Sequence, residues 1–146
     1  MQGLYELAAE LGLSVEEADL VTRDGECRLD LRRIRLPRNA SYRLKRWTLA
    51  HELGHAVNRH QLTIFGVSDP KQERDADEWA ALHLIQLEDY RAAELARDGH
   101  VPSMAYDLGV ITRGVLAFQR ALARIGPHVY LKPQHGAGQY ADKVPA

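Results

Sequence analysis

The sequence has a single cysteine, Cys27, so it can form neither an internal disulfide nor a zinc site built on several thiolates. No apolar run approaches the ~18 residues that cross a bilayer. The first residues also lack the basic and apolar segments of a signal peptide. With 19 basic and 20 acidic residues, the formal net charge of −1 gives no reason to expect binding to nucleic acid or anionic membranes. We therefore expect a cytoplasmic protein without membrane association.

The remaining composition is that of a single globular domain. The chain has 146 residues, of which 45% are hydrophobic and 27% charged, enough to enclose one core. Residues 1–125 are expected to form this domain, with a helical, helix-turn-helix-like part over 89–125. The segment 126–146 is rich in glycine and proline and lacks apolar periodicity, so we expect an extended or disordered tail there.

The first third of the chain predicts one helix followed by two strands. Apolar residues recur on one helical face over 3–11. Strands are expected near 14–21 and 26–36, and the Asp24-Gly25 pair predicts a hairpin turn between them. The first strand has an alternative, because the segment SVEE also matches the capping box of a helix. Cys27 is expected to be a small buried residue in the second strand.

Four helical segments follow, with the ranges 42–60, 70–87, 89–97 and 102–123. Ser41 can cap the first of them, and Asp69 followed by Pro70 is a strong start for the second. The last is interrupted at Gly109. Strands near one end and helices along the rest of the chain predict an α+β fold.

The segment HELGH contains the residues on which a functional prediction rests. His51 and His55 lie four residues apart, so on a helix both imidazoles can point toward one cation. Glu52 lies about 100° around the helix from His51, where it can take a proton from the attacking water. A chance H-E-x-x-H is expected in under about 1% of chains of this size. The motif therefore predicts a metal-activated hydrolase with Glu52 as general base.

A catalytic zinc usually has three protein ligands, so a third must come from elsewhere. The next predicted helix has Glu73 and Asp77 on one face with Ala76 and Ala80, and small residues there and at Gly54 let two helices approach closely. We expect Glu73 as the third ligand and Asp77 as acceptor for the outer N–H of a liganding histidine. Two alternatives remain: a solvated charged helix face, or ligation by Asp77 in place of Glu73.

Three other side chains are candidates for the cleft or for oxyanion stabilisation: His83, Tyr90 and Tyr106. The alternative for His83 is a histidine that only packs against its neighbours. His60 is expected to lie outside the ligand set. Zn²⁺ is the default cation for two histidines and one carboxylate, and Mn²⁺ or Fe²⁺ would also suit such a site.

The segments RWTLAHELGH and ERDADEWAALHLI together resemble the ImmA/IrrE metallopeptidases, whose pattern is HExxH followed by ExxA-N/D-x-aromatic-Ala-Ala. The resemblance covers roughly residues 4–125 and is strongest over 43–85. It implies a minimal zincin-like fold, a small twisted sheet packed on active-site helices, and it supports Glu73 as a ligand. The sequence departs from the pattern at Asp77, where many members have asparagine, and at HLIQLED, which replaces a Leu-Leu-Met-Pro segment.

The resemblance also implies a substrate. Family members typically cleave a helix-turn-helix transcriptional repressor and so relieve repression of a prophage, a mobile element or stress genes. The rival hypothesis is a non-proteolytic regulator that binds a repressor or DNA and has a structural or vestigial metal site. An intact Glu52 argues against it, because a structural site needs no base. No pattern in the sequence indicates the oligomeric state.

The segment SMAYDLGVITRGVLAFQRAL resembles a helix-turn-helix, with Gly109 in the turn. The residues on it that could contact DNA are Thr112, Arg113, Gln119 and Arg120. DNA-reading domains usually have a basic surface, whereas this chain has a net charge of −1 and acidic residues near the segment. We therefore expect this segment to pack against the core or to dock substrate, and not to bind DNA.

Overall fold

The computed structural model describes residues 1–21, 25–59, 69–125, 128–133 and 138–142, the last two segments as backbone only. Its helices are α1 (Gln2–Glu10), α2 (Tyr42–Val57), α3 (Pro70–Leu84), α4 (Leu87–Ala96), α5 (Val101–Asp107) and α6 (Thr112–Ile125). Its strands are β1 (Ser14–Ala18), β2 (Glu26–Arg28), β3 (Arg33–Pro37), β4 (His128–Pro133) and β5 (Gly138–Asp142). The architecture is α+β, which confirms the predicted class.

The first three strands form one small mixed sheet in the order β1-β3-β2. β1 runs parallel to β3 with Val15 opposite Ile34, and β2 runs antiparallel to β3 with Cys27 opposite Ile34. Ile34 and Leu36 are fully buried in the core, and β2 and β3 both contact α2. Cys27 lies in a strand, as predicted, but it is only partly buried and not fully buried as expected.

The predicted hairpin between the first two strands is wrong. β1 pairs with β3 and not with β2, and the expected strand over 26–36 is divided by a turn at 29–32. The turn includes Arg32 at a φ of +49°, and it is closed by two backbone hydrogen bonds of 3.2 Å, from the Leu31 amide to the Arg28 oxygen and from the Arg32 amide to the Leu29 oxygen. Alternating leucines suggested a continuous strand here, but the local hydrogen bonds stabilise a chain reversal. Asp24 lies outside the described residues.

The helix starts follow the predicted caps. The Ser41 hydroxyl accepts a hydrogen bond from the Leu44 amide at 3.2 Å, and the Asp69 carboxylate accepts one from the Gln72 amide at 2.9 Å. Each cap satisfies an amide that has no partner within the helix. Local sequence thus sets where α2 and α3 begin.

Two helices end three residues before the predicted limit. α2 ends at Val57, where Asn58 is the C-cap and Arg59 has a φ of +54°. α3 ends at Leu84, because Ile85 adopts an extended backbone and is buried in the core. Gly109 separates α5 from α6 as predicted, with a φ of +65° that glycine adopts without strain. The segment 126–146 contains β4 and β5, which pair antiparallel in a second sheet. Within the described ranges, none of the helices has the length and apolar character needed to cross a bilayer.

Two glycines allow helices to approach α2 closely. A Cβ at Gly54 would lie 3.0 Å from the backbone oxygen and 3.1 Å from the Cα of Ala76 on α3. A Cβ at Gly114 on α6 would lie 2.9 Å from the ring of Trp47 on α2. The predicted close contact between Gly54 and the small residues of α3 is confirmed. α3 therefore packs against both α6 and the helix that contains HELGH, and α6 also reaches that helix at Trp47.

Replacing Gly54 by alanine is expected to destabilise the fold by about 1–2 kcal/mol, because the added methyl group meets the backbone of α3, which cannot rotate away. Gly3→Ala in α1 is the matched control, since nothing lies within 4 Å of its Cβ position. That change should stabilise by a few tenths to about 1 kcal/mol through helix propensity. Chemical denaturation measures both effects. Equal stabilisation by the two substitutions would contradict the close contact.

Candidate metal centre

α2 and α3 bring three donor side chains to one point. His51 and His55 lie one turn apart on α2, and their Nε2 atoms are 3.1 Å from each other. Glu73, in the first turn of α3, places Oε2 3.2 Å from His51 Nε2 and Oε1 3.2 Å from His55 Nε2. One ligand atom from each of the three residues lies within 4.8 Å of the other two. Helical periodicity aligns the histidines, and the α2–α3 contact brings the carboxylate to them.

These separations fit a divalent cation. Ligand atoms about 2.0–2.2 Å from a tetrahedral ion are about 3.3–3.6 Å from one another. The separations of 3.1, 3.2 and 3.2 Å lie only about 0.1–0.2 Å below the lower end of that range. Two imidazole nitrogens and one carboxylate also match the donor set of catalytic zinc sites. By distance and chemistry, His51, His55 and Glu73 can hold one cation.

Asp77 lies behind His51, on the side away from Glu73. Its Oδ1 is 2.8 Å from His51 Nδ1, and the Asp77 side chain is only 7% exposed. An ionised carboxylate only accepts hydrogen bonds, so Nδ1 carries the proton and donates it. That tautomer leaves the lone pair of Nε2 for a cation, and the bond fixes the plane of the ring.

The acidic surroundings strongly affect His51. Burial lowers its pKa, but hydrogen bonds to Asp77 and Glu73, together with the charge of Glu52, outweigh the burial and raise the pKa to about 9. A cation binding at Nε2 must displace a proton held there, so metal binding is expected to release protons.

Glu52 is buried beside the two histidines and faces the sheet. Burial raises the pKa of Glu52, and the charges of Glu73 and Glu26 raise it further. The neighbouring histidines lower it, but the pKa stays above its usual value. A Cβ at Gly25 would lie 2.9 Å from Glu52 Oε1, so the backbone leading into β2 lies against this carboxylate. A carboxylate with a raised pKa is a stronger base than an exposed one, as general-base catalysis near neutral pH requires.

The pKa of the Cys27 thiol is raised by burial and by the same negative charges. Burial, with contributions from Glu52 and Glu26, raises the pKa of its thiol to about 12. The thiol therefore stays neutral at physiological pH, which argues against a nucleophilic or metal-ligating role.

Arg113 lies at this centre, whereas the sequence analysis considered it only among the residues that could contact DNA. Its Nε donates to Asp77 Oδ2 at 2.8 Å, and its Nη2 lies 3.7 Å from Glu73 Oε2. Arg113 is the second residue of α6 and lies 36 positions after Asp77. No spacing rule connects two residues so far apart, and only the packing of α6 on α2 and α3 brings them together.

The contacts described for Tyr90 are with α4 and α6. Its hydroxyl donates to Glu94 at 2.9 Å and accepts from Gln119 at 3.1 Å, and its ring centroid is 4.9 Å from that of Phe118. Burial raises the pKa of this hydroxyl, which keeps it protonated. None of these partners is one of the three donors, and a role in oxyanion stabilisation stays a prediction.

The other two cleft candidates also have contacts of their own. The His83 ring stacks on Trp79, with centroids 4.7 Å apart and an interplanar angle of 18°. Tyr106 is 71% exposed, and the Arg43 guanidinium lies 5.4 Å from the centre of its ring. Their roles in the cleft also stay predictions. His60 lies outside the described residues.

Removing Glu73 tests the ligand set. Glu73→Ala should weaken Zn²⁺ binding by at least about 100-fold, beyond the roughly 10–100-fold typical of residues that only support a ligand. Asp75→Ala, an acidic residue on the same helix that forms an ion pair with Lys71, is the control and should bind like wild type. Competition with a chelator gives both affinities. Wild-type affinity in Glu73→Ala would exclude Glu73 as a ligand and favour Asp77.

Metal binding should also stabilise the fold, because the site joins two helices only in the folded chain. At a free Zn²⁺ concentration 100 times Kd, the expected gain is about 2.7 kcal/mol. Thermal unfolding with Zn²⁺ and with excess chelator measures this gain. The double variant His51→Ala/His55→Ala should show the same melting temperature under both conditions. A metal-dependent shift that persists in this variant would locate the binding elsewhere.

The model of a peptidase family, the IrrE N-terminal-like domain, matches residues 8–113 of the chain. The match extends from α1 to the start of α6 and includes all the side chains of the centre described above. No curated protein and no solved structure matches the chain significantly. The match covers well over half of the 146 residues and confirms the resemblance to the ImmA/IrrE metallopeptidases. The chain therefore belongs to the family of the IrrE N-terminal-like domain, a peptidase family.

Proposed function

We propose that this protein is a zinc-dependent endopeptidase that cleaves a helix-turn-helix transcriptional repressor in the cytoplasm. Membership of a peptidase family indicates a hydrolase. The observation on which the metal-dependent mechanism rests is the convergence of His51, His55 and Glu73 on one point, with Glu52 buried next to them. The repressor substrate rests on the resemblance to the ImmA/IrrE metallopeptidases.

Each residue of the centre has a defined part in the proposed mechanism. His51, His55 and Glu73 would hold the cation, and Asp77 would keep the His51 ring in place. The cation, when bound, supplies Lewis acidity that makes water more acidic and polarises the scissile carbonyl. Glu52 accepts the proton from the attacking water and delivers it to the leaving amine as the peptide bond breaks.

The sheet offers a way to align the substrate. Within the described residues β2 pairs with β3 along one edge only, and an extended peptide can add to an open strand edge. The backbone leading into β2 lies against Glu52, as the position of Gly25 shows. A peptide added to β2 would thus have its backbone close to the base, which suits cleavage within a chain.

The contacts of α6 favour a peptidase over a DNA-binding regulator. Two of the four residues considered for DNA contact have internal partners, because Arg113 donates to Asp77 and Gln119 donates to Tyr90. Arg124 on the same helix forms an ion pair with Glu78 of α3. Phosphate binding by Arg113 would require breaking its bond to Asp77, so α6 is poorly suited to read DNA.

Glu52→Gln separates the two functional classes. The amide keeps the size of the side chain but cannot accept the proton, so cleavage should fall by about 10²–10⁴-fold, while Zn²⁺ binding stays near wild type. The substrate is the full-length helix-turn-helix repressor that the resemblance implies to be encoded nearby, incubated with protein and Zn²⁺ and followed by gel electrophoresis. Glu88→Gln, an exposed position on α4, is the control and should cleave normally. Equal cleavage by all three proteins, or tight binding without cleavage by wild type, would reject the peptidase mechanism.

A further inference from the structure

Arg113 contacts both carboxylates that α3 contributes to the centre. It donates from Nε to Asp77 Oδ2 at 2.8 Å, while Asp77 Oδ1 bonds His51 Nδ1 at the same distance. Its Nη2 lies 3.7 Å from Glu73 Oε2. Asp77 thus bridges a guanidinium on α6 and an imidazole on α2, using one oxygen for each.

We propose that Arg113 is a positioning residue for the metal centre, which holds Asp77 and through it the ring of His51. This inference rests on the proposed metal-dependent function. The Asp77 side chain is 7% exposed, so without Arg113 one oxygen of a nearly buried carboxylate would lose a charged hydrogen-bond partner. The carboxylate would then be held only by its bond to His51, and the orientation of His51 Nε2 would be less strictly fixed.

The charges of the centre support the same role. Three carboxylates, Glu52, Glu73 and Asp77, lie in or beside the cluster, and a divalent cation would neutralise only two of them. Arg113 supplies the remaining positive charge directly at Asp77 and close to Glu73. An uncompensated negative charge in a largely buried site is costly, so the guanidinium completes the charge balance of the loaded centre.

The packing of α6 fixes the position of the Arg113 backbone. Gly114, the next residue, lies so close to Trp47 of α2 that a Cβ there would be 2.9 Å from the indole ring. Arg46 of α2 donates to the backbone oxygen of Gly109 at 2.7 Å, just before α6 begins. The helix that carries both histidines therefore also holds the start of α6, and the geometry of the Arg113–Asp77 contact is set by the fold.

The test measures Zn²⁺ affinity of the full chain, with the metal alone as probe. Arg113→Gln should weaken binding by about 10–100-fold, the usual effect of losing a partner that orients a ligand. Arg124→Gln is the matched control, because it breaks another α6–α3 ion pair, with Glu78, and should change the affinity by less than about twofold. Arg113→Lys keeps the charge but not the forked geometry, so its affinity should lie between those of wild type and Arg113→Gln.

A double-mutant cycle separates positioning from general destabilisation. If Arg113 acts through Asp77, then Arg113→Gln in an Asp77→Ala background should weaken Zn²⁺ binding by less than about threefold further. The melting temperature of the chelated protein should fall more in Arg113→Gln than in Arg124→Gln, because Asp77 is more deeply buried than Glu78, while the loss of affinity should depend on Asp77 being present. Arg113→Met, which keeps the aliphatic stem, replaces Arg113→Gln if the latter fails to fold.

Three results would overturn the proposal: wild-type affinity in Arg113→Gln or Arg113→Met, an equal loss in Arg124→Gln, or full additivity with Asp77→Ala. Failure of the proposed function looks different. A wild-type protein that binds Zn²⁺ in an Arg113-dependent way but cleaves no repressor would reject the function and support the positioning role. If repressor cleavage depends on Glu52 but the Zn²⁺ affinity is the same with and without Arg113, the proposed function is supported and the positioning role is rejected.

Discussion

The centre depends on one steric constraint, the contact between Gly54 of α2 and the backbone of Ala76 on α3. His51 and His55 flank Gly54, while Glu73 and Asp77 flank Ala76. The backbone contact therefore lies among four side chains of the candidate centre, and its closeness sets the distances between the carboxylates of α3 and the imidazoles of α2. A larger residue at either position would separate the helices by a fraction of an ångström, and the carboxylates would move away from both imidazoles together.

The other elements complete the surroundings of this helix pair. The backbone leading into β2 lies against Glu52 on one side, and α6 approaches Asp77 and Glu73 through Arg113 on another. On the proposed function, the base Glu52 and the supporting carboxylate Asp77 are thus positioned by different parts of the chain. A change in α6 is expected to act on metal binding, whereas a change near Gly25 is expected to act on proton transfer.

Local sequence predicted what depends on local interactions. The caps at Ser41 and Asp69, the chain break at Gly109 and the small faces of α2 and α3 follow from neighbours within a few residues, and the structure confirms them. Strand order depends on contacts between distant segments, so the apparent hairpin signal was misleading. Arg113 could not be foreseen for the same reason, because its partner lies on another helix. The roles assigned to His51, Glu52, His55, Glu73 and Asp77 remain predictions for experiment.

The shortness of β2 has a consequence for selectivity. A strand of three residues can form only a few backbone hydrogen bonds with an added peptide, worth about 0.5–1.5 kcal/mol each. That total corresponds to an affinity no better than roughly millimolar. On the proposed function, most peptides that reach the cleft would leave uncut, and a true substrate would need further contacts elsewhere on the surface. Weak binding in the cleft, combined with contacts to the substrate elsewhere on the surface, would allow a peptidase to cleave one partner and leave other cellular proteins intact.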